Sequence, residues 1–202
     1  MKTCYIVGAG DFYGNFSPDE SDLVIAADGG YDTLIKRGIK CDLFVGDMDS
    51  LSESPYDVEI LRFPVEKDET DTFLAYYEGV KRGYKKFMLF GGVGGRIDHT
   101  FANLSLLIHG KNAGHDITLV ADGYEIFAIK DEKIALLGTR GKTFSVFAFP
   151  ESASGVYVKS AKYEADNVTL TPDFPLGVSN SFLDRECEIE VKCGTLLVMI
   201  EN

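Results

Sequence analysis

The stretch LFVGDMDS, residues 43–50, runs from an apolar segment through a glycine into two aspartates with one residue between them. A carboxylate beside an apolar core is costly unless it has a partner. Asp47 and Asp49 therefore need a cation or hydrogen-bond donors close by. The stretch predicts a buried strand whose carboxyl end faces a charged binding edge.

Strand and helix patterns alternate from the start of the chain to about residue 122. Apolar runs predict strands over 3–10, 22–30, 41–47, 59–65, 85–92 and 116–122. Helical periodicity predicts helices over 31–38, 68–84 and 96–110. In the last of these helices, Phe101, Leu104 and Ile108 are expected to face inward. Buried strands interleaved with helices predict a mostly parallel, Rossmann-like α/β/α sandwich over residues 1–122.

The pattern changes after residue 122. The remaining 123–202 segment consists of short runs in which apolar and polar residues alternate, and turns separate these runs. No helical period is present. This segment is predicted to form a second domain, an antiparallel β-sandwich.

The composition is that of an acidic globular protein with a sizeable core. The net charge of −12 at pH 7 argues against unaided binding to nucleic acid or to an anionic membrane, and it permits a cationic substrate or metal ions. No apolar run approaches the ~20 residues of a membrane helix, and no signal peptide is indicated. The four cysteines form no CxxC pair. They are predicted to be buried free thiols, and we expect a cytoplasmic protein.

Further aspartates follow other predicted strands or open helices. Asp28 ends the second strand in AADGG, Asp98 follows the fifth strand, and DETD at 68–71 opens a helix. Ligands of open parallel sheets bind outside the carboxyl ends of the strands, so these acids are expected to gather on one edge. Oxygen ligands of this kind suit Mg²⁺. Helix capping is the alternative for each acid taken singly, and it is the better explanation for Asp68, Thr70 and Asp98 when each is considered alone.

A glycine-rich segment, GGVGGRIDH at 91–99, follows the fifth predicted strand. Its glycines allow the backbone to approach a ligand, and the following helix start can hold phosphate. Arg96 adds a forked cation suited to phosphate oxygens, and Lys67 adds another beside DETD. The alternative is a plain flexible turn. Taken alone, these residues predict an α/β domain that uses Mg²⁺ for phosphoryl or pyrophosphoryl transfer from a nucleotide.

The motifs AADGG, GDMDS, DETDT and GGVGGRIDH, followed by GVSNSF and GTLLVMIE, together resemble the thiamine pyrophosphokinase family. The resemblance covers nearly the whole chain. It implies Mg²⁺-dependent transfer of the pyrophosphoryl group of ATP to the hydroxyethyl group of thiamine, with release of AMP. It also implies a homodimer whose active sites lie at the subunit interface, formed in part by the β-sandwich of the partner.

The resemblance assigns roles to named positions of this chain. Metal and ATP are assigned to Asp28, Asp47, Asp49, Asp71 and Asp98, with Mg²⁺ on Asp47, Asp49 and Asp71. The phosphates are assigned to Gly92, Arg96 and Lys67, with Thr70 and His99 as further candidates on the ATP side. The aminopyrimidine of thiamine is assigned to Ser179 and Asn180. Chemistry is expected from Asp71, Asp98, Asp49 and Arg96, and the proton acceptor is either Asp71 or Asp98.

One departure from the family concerns the thiamine ring, which some members stack on a tryptophan. This chain has no Trp. Tyr163 and Phe182 are the candidate substitutes, and a core role is the alternative for each. Three other functions remain open from the sequence: a pyrophosphokinase acting on another alcohol such as a pterin carbinol, a kinase that yields ADP, and a non-catalytic nucleotide or thiamine sensor.

Overall fold

The structure, a computed structural model, describes residues 2–47, 56–64 and 68–202. The chain divides into two compact units, Met1–Asp122 and Gly123–Asn202. The first unit alternates strands and helices, and the second contains strands only in its described residues. The predicted fold class, an α/β domain followed by an antiparallel β-sandwich, is confirmed.

The described part of the α/β unit contains six strands and three helices. The strands are β1 (Thr3–Val7), β2 (Leu23–Ala27), β3 (Leu43–Gly46), β4 (Glu59–Arg62), β5 (Lys86–Phe90) and β6 (Asp116–Ala121). The helices are α1 (Gly30–Arg37), α2 (Asp71–Lys81) and α3 (Ile97–Asn112). All six predicted strands and all three predicted helices are present; the strands and α2 are shorter than predicted, α1 is shifted by one residue, and α3 extends two residues beyond its predicted end.

The strands of the α/β unit are parallel and lie in the order β6-β5-β1-β2-β3-β4. Along the chain, the sheet first grows from β1 to β4 on one side, and it then continues with β5 and β6 on the other side of β1. The strand order therefore reverses between β1 and β5. This is the point at which open α/β sheets open a crevice for ligands, at the carboxyl ends of the strands.

Helices cover both faces of this sheet. Tyr31 and Leu34 of α1 belong to the core cluster that contains Val7 and Phe90. On the opposite face, Gly79 of α2 lies against the side chains of Phe87 and Cys4, and Gly110 of α3 lies against Ile117. Side chains alternate between the two faces along a strand, so residues three apart point to opposite faces. Cys4 and Val7 in β1, like Phe87 and Phe90 in β5, are such pairs.

The inward face predicted for α3 is wrong at Phe101, whose side chain is 58% exposed. The buried face of α3 instead passes through Asn103, Leu106, Leu107 and Gly110. A polar residue occupies an inward position here, so the apolar spacing misplaces the buried face by part of a turn.

The connection between β1 and β2 contains no helix in its described residues, and aromatic side chains cover the sheet instead. The ring of Phe16 stacks on Tyr5 with 4.5 Å between centroids, and Phe12 stacks on Phe90 at 5.1 Å. The guanidinium of Arg37 lies over the Phe12 ring, 3.9 Å from its centre. This packing holds the chain after β1 close to the carboxyl end of β5.

The second unit is an antiparallel sandwich of two four-stranded sheets. Its strands are β7 (Tyr124–Lys130), β8 (Lys133–Leu137), β9 (Thr143–Ala148), β10 (Ala153–Lys159), β11 (Ala165–Leu170), β12 (Asn180–Ser181), β13 (Glu186–Cys193) and β14 (Thr195–Glu201). One sheet has the order β12-β9-β14-β7, and the other has the order β11-β10-β13-β8. Inward side chains from both sheets form one core cluster, which includes Phe144, Val156, Phe182 and Leu196.

All four cysteines are free thiols, and three of them are buried. Burial raises the pKa of Cys41 and of Cys187 to about 11, so both remain protonated near neutral pH. The prediction of burial is wrong for Cys193, which is exposed at the end of β13. Among the described residues, no helix has both the length and the apolar character needed to cross a bilayer.

Candidate active site

The loops that follow β1 and β5 lie against each other at the switch point. The Gly8 N–H donates to the Phe90 carbonyl at 2.8 Å, and the Gly10 N–H donates to the Gly91 carbonyl at 2.9 Å. A Cβ at Gly8 would lie 2.7 Å from the Gly91 oxygen, which is closer than real side chains approach. Glycine is therefore required where the two loops meet, and both loops bring bare backbone to the ligand edge.

Two of the predicted carboxylates occupy neighbouring strand ends. Asp28 follows β2 with a φ of 51°, and its N–H donates to the Val45 carbonyl of β3 at 2.9 Å. A Cβ at Gly46 would lie 3.3 Å from the Asp28 Cα, so the backbones of these two strand ends are in close contact. Asp47 comes next in the chain and is half-buried, as is Asp28. The edge thus carries two adjacent, partly desolvated carboxylates.

The start of α2 supplies a third carboxylate. Thr70 is the N-cap of this helix, and its hydroxyl accepts a hydrogen bond from the Phe73 N–H at 3.3 Å. Capping is therefore the role that the structure gives to Thr70, and its contact with ATP stays a prediction. Asp71 is the first residue of α2 and is half-buried. A carboxylate at this position is favoured by the helix dipole.

Arg96 and Asp98 form a two-point ion pair at the start of α3. The Arg96 Nε lies 3.1 Å from Asp98 Oδ1, and Nη2 lies 2.6 Å from Oδ2. The guanidinium holds the pKa of Asp98 below its usual value, and the His99 N–H assists by donating to Oδ1 at 3.0 Å. All three side chains are exposed. The pair is accessible to ligand and is a surface pair, so it contributes little to stability.

Two acidic residues that we did not assign from the sequence also lie at this edge. Asp11 follows β1, and its carboxylate accepts from the Tyr13 hydroxyl at 3.3 Å and lies against Gly94. Asp122 follows β6. Desolvation, and then the charges of these two carboxylates, raise the pKa of Tyr13. Each is the first acidic residue after an apolar strand, the same signal that identifies Asp28 and Asp47.

Two predicted site residues, Asp49 and Lys67, lie outside the described residues, so the proposed Asp47–Asp49–Asp71 metal set is not described as a whole. Within residues 2–47, 56–64 and 68–202, no three His, Cys, Asp or Glu side chains lie close enough together to hold a metal ion. The predicted metal ligands among the described residues, Asp47 and Asp71, are both carboxylates. This donor set suits Mg²⁺, which binds one or two carboxylates together with waters and substrate phosphates.

The β-sandwich contains a separate groove of about 500 Å³. Its walls are mainly apolar, with Val146, Val156 and Leu176 among them, and the polar residues Tyr163, Glu164, Asp166 and Asn180 complete the lining. A mainly apolar cavity with a few polar groups is the usual form of a small-molecule site. Four large apolar side chains around this part of the unit are exposed: Tyr163, Phe174, Leu176 and Val178.

The GVSN motif at 177–180 shapes this groove. A Cβ at Gly177 would collide with the Val146 backbone, so only glycine permits the approach. Asn180 is 9% exposed. Its Oδ1 accepts from the Tyr163 N–H at 3.0 Å, and its Nδ2 donates to the Tyr163 carbonyl at 2.6 Å. Ser179 has a φ of 59° and is exposed, and its N–H donates to the Ser145 hydroxyl at 3.1 Å. Asn180 thus fixes the backbone of Tyr163.

The two aromatic candidates for a stacking role have very different environments. Phe182 is 1% exposed, and its ring packs 4.7 Å from that of Phe144 in the sandwich core. Tyr163 is 60% exposed and lines the groove. Phe182 is therefore a core residue, and Tyr163 is the aromatic side chain that can contact a ligand.

The open parallel sheet with a glycine-lined switch point places this chain among the α/β folds that bind ligands, often nucleotides, at the carboxyl ends of their strands. Within that class, two family models match this chain. The model described as "Thiamin pyrophosphokinase, catalytic domain" matches residues 17–119, and "Thiamin pyrophosphokinase, vitamin B1 binding domain" matches residues 126–196. The chain belongs to the thiamin pyrophosphokinase family.

Individual relatives agree with this assignment over the full length. The chain is 28% identical to thiamine pyrophosphokinase of Bacillus subtilis (strain 168), with 100% of this chain and 99% of the relative covered. The crystal structure of the Bacillus subtilis thiamine pyrophosphokinase matches with a TM-score of 0.89 at 24% identity, covering 100% of this chain and 99% of that one. The Geobacillus thermodenitrificans structure matches with a TM-score of 0.86 at 23% identity, covering 99% and 97%. At these identities the structural matches establish the fold alone.

Proposed function

We propose that this enzyme transfers the pyrophosphoryl group of ATP to the hydroxyethyl group of thiamine, giving thiamine diphosphate and AMP. The observations that support the proposal are the half-buried Asp28 and Asp47 at neighbouring strand ends and the two glycine loops at the switch point, in a chain that matches both family models. The match to the vitamin B1 binding domain over 126–196 favours thiamine over a pterin carbinol.

In this reaction the thiamine hydroxyl oxygen bonds to the β-phosphorus of ATP. The bond between that phosphorus and the oxygen bridging to the α-phosphate breaks, and AMP leaves with the bridging oxygen. The hydroxyl proton passes to a base. Because attack and departure are in line, much of the rate must come from positioning and from offsetting charge on the phosphates.

Mg²⁺ would be held by Asp47 and Asp71, with Asp28 beside them and Asp49 as the further predicted ligand. When bound, it supplies charge to the phosphate oxygens and helps align the reacting groups. The predicted ligands are all carboxylates, which supports this assignment, since a softer or more nitrogen-seeking metal would favour Cys or His.

Asp71 is the proton acceptor that we favour over Asp98. Arg96 holds both oxygens of Asp98, and the pair keeps the pKa of that carboxyl low. A carboxylate stabilised in this way is the weaker base. Asp98 then serves to orient Arg96, whose guanidinium is exposed and placed beside the glycine loop for the phosphates.

The remaining assignments on the ATP side concern the phosphates. The backbone at Gly92 and the start of α3 face the switch point, where helix N-termini and exposed amides bind anions. Thr70 and His99 lie at the starts of α2 and α3 and are further candidates for contact with ATP. Lys67, next to DETD, would add a second cation.

Thiamine would bind at the groove of the β-sandwich. Tyr163 offers an exposed aromatic face for ring stacking, which replaces the tryptophan that this chain lacks. Asn180 supports that ring by holding the Tyr163 backbone, while Ser179 remains exposed for direct contact. Glu164 and Asp166 give the groove a negative charge that suits a cationic ligand.

We further propose a cytoplasmic homodimer in which the sandwich of one subunit completes the site of its partner. The exposed apolar side chains around the groove suit burial by another chain. The buried thiols suit a reducing compartment. Mixing Asp71→Asn with Tyr163→Ala, at a thiamine concentration too low for Tyr163→Ala to turn over appreciably, tests the shared site. Heterodimers would then contain one intact site, and about a quarter of wild-type activity would return after random reassociation. No recovery would contradict shared sites.

The reaction is tested by a product assay. Purified protein is incubated with ATP, Mg²⁺ and thiamine, and the products are resolved by chromatography. We expect AMP and thiamine diphosphate in equal amounts, loss of both with a chelator, and loss of turnover with retained thiamine binding in Asp71→Asn. ADP with thiamine monophosphate would place the attack at the γ-phosphorus. Thiamine and ATP binding without any product would indicate a sensor.

A further inference from the structure

Helix α3 carries a buried amide on the face that packs against the sheet. Asn103 is 5% exposed, and the buried positions that follow it on this face, Leu106 and Leu107, are apolar. Its Nδ2 donates to the Gly92 carbonyl at 2.8 Å. Burying an amide is costly unless it is hydrogen-bonded. Since an apolar residue would be ordinary at this position, the bond to Gly92 is the feature that needs an explanation.

The glycine loop after β5 is held from the opposite side by the loop after β1. The N–H groups of Gly8, Gly10 and Asp11 donate to the carbonyls of residues 90, 91 and 93, at 2.8, 2.9 and 2.8 Å. This ladder omits only the carbonyl of Gly92 in the run 90–93. Asn103 donates to that carbonyl. Four consecutive carbonyls of the loop therefore have fixed donors, three from the backbone and one from a side chain.

Fixing the Gly92 carbonyl also fixes the peptide plane that joins Gly92 to Val93, because the peptide unit is planar. This plane lies between the Gly91–Gly92 and Val93–Gly94 planes, whose carbonyls are held by the loop after β1. A Cβ at Gly92 would lie 2.6 Å from the Leu119 side chain and 3.1 Å from that of Leu89, so the backbone has little room to shift toward them. The remaining freedom of the loop at this point is rotation of the Gly92–Val93 peptide, and the Asn103 amide prevents it.

We propose that Asn103 is a positioning residue that holds the glycine loop in its phosphate-binding conformation. The inference rests on the proposed function of this loop. Asn103 acts through the Gly92–Val93 peptide and does not contact the reacting groups. Without it, the loop samples several peptide orientations, and its amides and Arg96 are no longer aligned for ATP.

Three variants separate positioning from packing. Asn103→Leu keeps the approximate volume and removes the donor. Asn103→Asp keeps the shape, and its buried carboxyl can donate to the Gly92 carbonyl only when protonated. Leu107→Val is the matched control, because it perturbs the same buried face one turn further along α3. We expect Asn103→Leu to raise the KM for ATP by about 10- to 100-fold while the KM for thiamine stays within about twofold.

The pH profile provides a readout that a merely structural role would not give. The activity of Asn103→Asp relative to wild type is expected to rise as the pH falls, because protonation restores the donor. Leu107→Val should keep a constant ratio to wild type over the same range. If Asn103→Leu does not fold, Asn103→Asp still decides the question. A ratio independent of pH would overturn the proposal.

Amide hydrogen exchange over residues 90–96 tests the inference without turnover. The exchange is measured by mass spectrometry on the whole protein. We expect faster exchange in this segment for Asn103→Leu and wild-type exchange for Leu107→Val. Unchanged exchange, or faster exchange with an unchanged KM for ATP, would overturn the positioning role. If wild type itself forms no thiamine diphosphate, the proposed function fails, and the exchange result still shows whether Asn103 orders the loop.

Discussion

Replacing Asn180 by alanine removes three hydrogen bonds from one edge of the β-sandwich. The side chain accepts from the N–H groups of Tyr163 and Ser181, at 3.0 and 2.8 Å, and donates to the Tyr163 carbonyl at 2.6 Å. A buried neutral hydrogen bond contributes about 1 kcal/mol net, so the loss is about 3 kcal/mol. For a chain of this size, that corresponds to a fall in Tm of roughly 6–12 °C.

The functional consequence of Asn180→Ala should fall on one substrate. Tyr163 lines the groove, and its backbone would lose both bonds that fix it. If its ring stacks on thiamine, the KM for thiamine should rise about tenfold, the effect of losing a good aromatic contact. The KM for ATP should stay unchanged, because the predicted ATP residues all belong to the α/β unit.

Steady-state kinetics with each substrate varied in turn, together with thermal unfolding, measure these effects. Ser181→Ala is the control, since it changes the adjacent residue and leaves both bonds to Tyr163 intact. The effects of Asn180→Asp on the Tm and on the KM for thiamine should fall between those of Ser181→Ala and Asn180→Ala, because Asn180→Asp keeps the two acceptor bonds and loses the donor. A variant Asn180→Ala with lower Tm and wild-type KM for thiamine would refute the reasoning and make Asn180 purely structural.

Three other outcomes are expected. Phe182→Ala should lower the free energy of unfolding by about 3–5 kcal/mol. Tyr163→Ala should raise the KM for thiamine with little change in Tm. A stability loss in Tyr163→Ala and a raised KM in Phe182→Ala would instead make Tyr163 the core residue and Phe182 the ligand contact. Gly10→Ala should abolish measurable ATP binding in calorimetry, because its Cβ would lie 2.7 Å from the Gly91 oxygen. Gly95→Asn is the control and should bind ATP nearly as wild type, because a Cβ at Gly95 has open space around it. Burial lowers the pKa of His115 in the folded protein, so its contribution to stability should be complete above its unfolded pKa of about 6.5. This contribution should decline as the pH falls from there toward the folded pKa. Denaturant titrations between pH 7.5 and pH 5 should show the decline in wild type and not in His115→Asn.

The sequence predicted the α/β unit well because its signals are local. Five of the six apolar runs end in a glycine or an aspartate, and the strands of a parallel sheet bring those ends to one edge whatever the details of packing. Asp28 and Asp47 could therefore be assigned to one edge of the sheet from the sequence alone. Asp11 and Asp122 obey the same rule and could have been found by applying it to every strand.

The features that sequence reasoning missed depend on contacts between distant parts of the chain. The spacing of apolar residues in α3 favoured Phe101 as inward, because nothing local distinguishes a buried asparagine from an exposed one. Asn103 can be buried because its amide donates to the Gly92 carbonyl, and this contact is evident only in the folded chain. The choice between Tyr163 and Phe182 likewise needed the sandwich, since both are single aromatic residues beside polar segments.

The acidic edge also explains why a cation belongs in the proposed reaction. ATP and the carboxylates at 28, 47 and 71 carry like charges, and each pair of unit charges about 5 Å apart costs about 3 kcal/mol at an effective dielectric constant of about 20. Arg96 offsets only part of this, because Asp98 already shares its guanidinium. The backbone amides of the glycine loop add donors but no net charge. An edge with this composition therefore suits ATP as its metal complex rather than as the free anion. Thiamine is a cation, so it can approach the same edge without a metal ion to offset its charge.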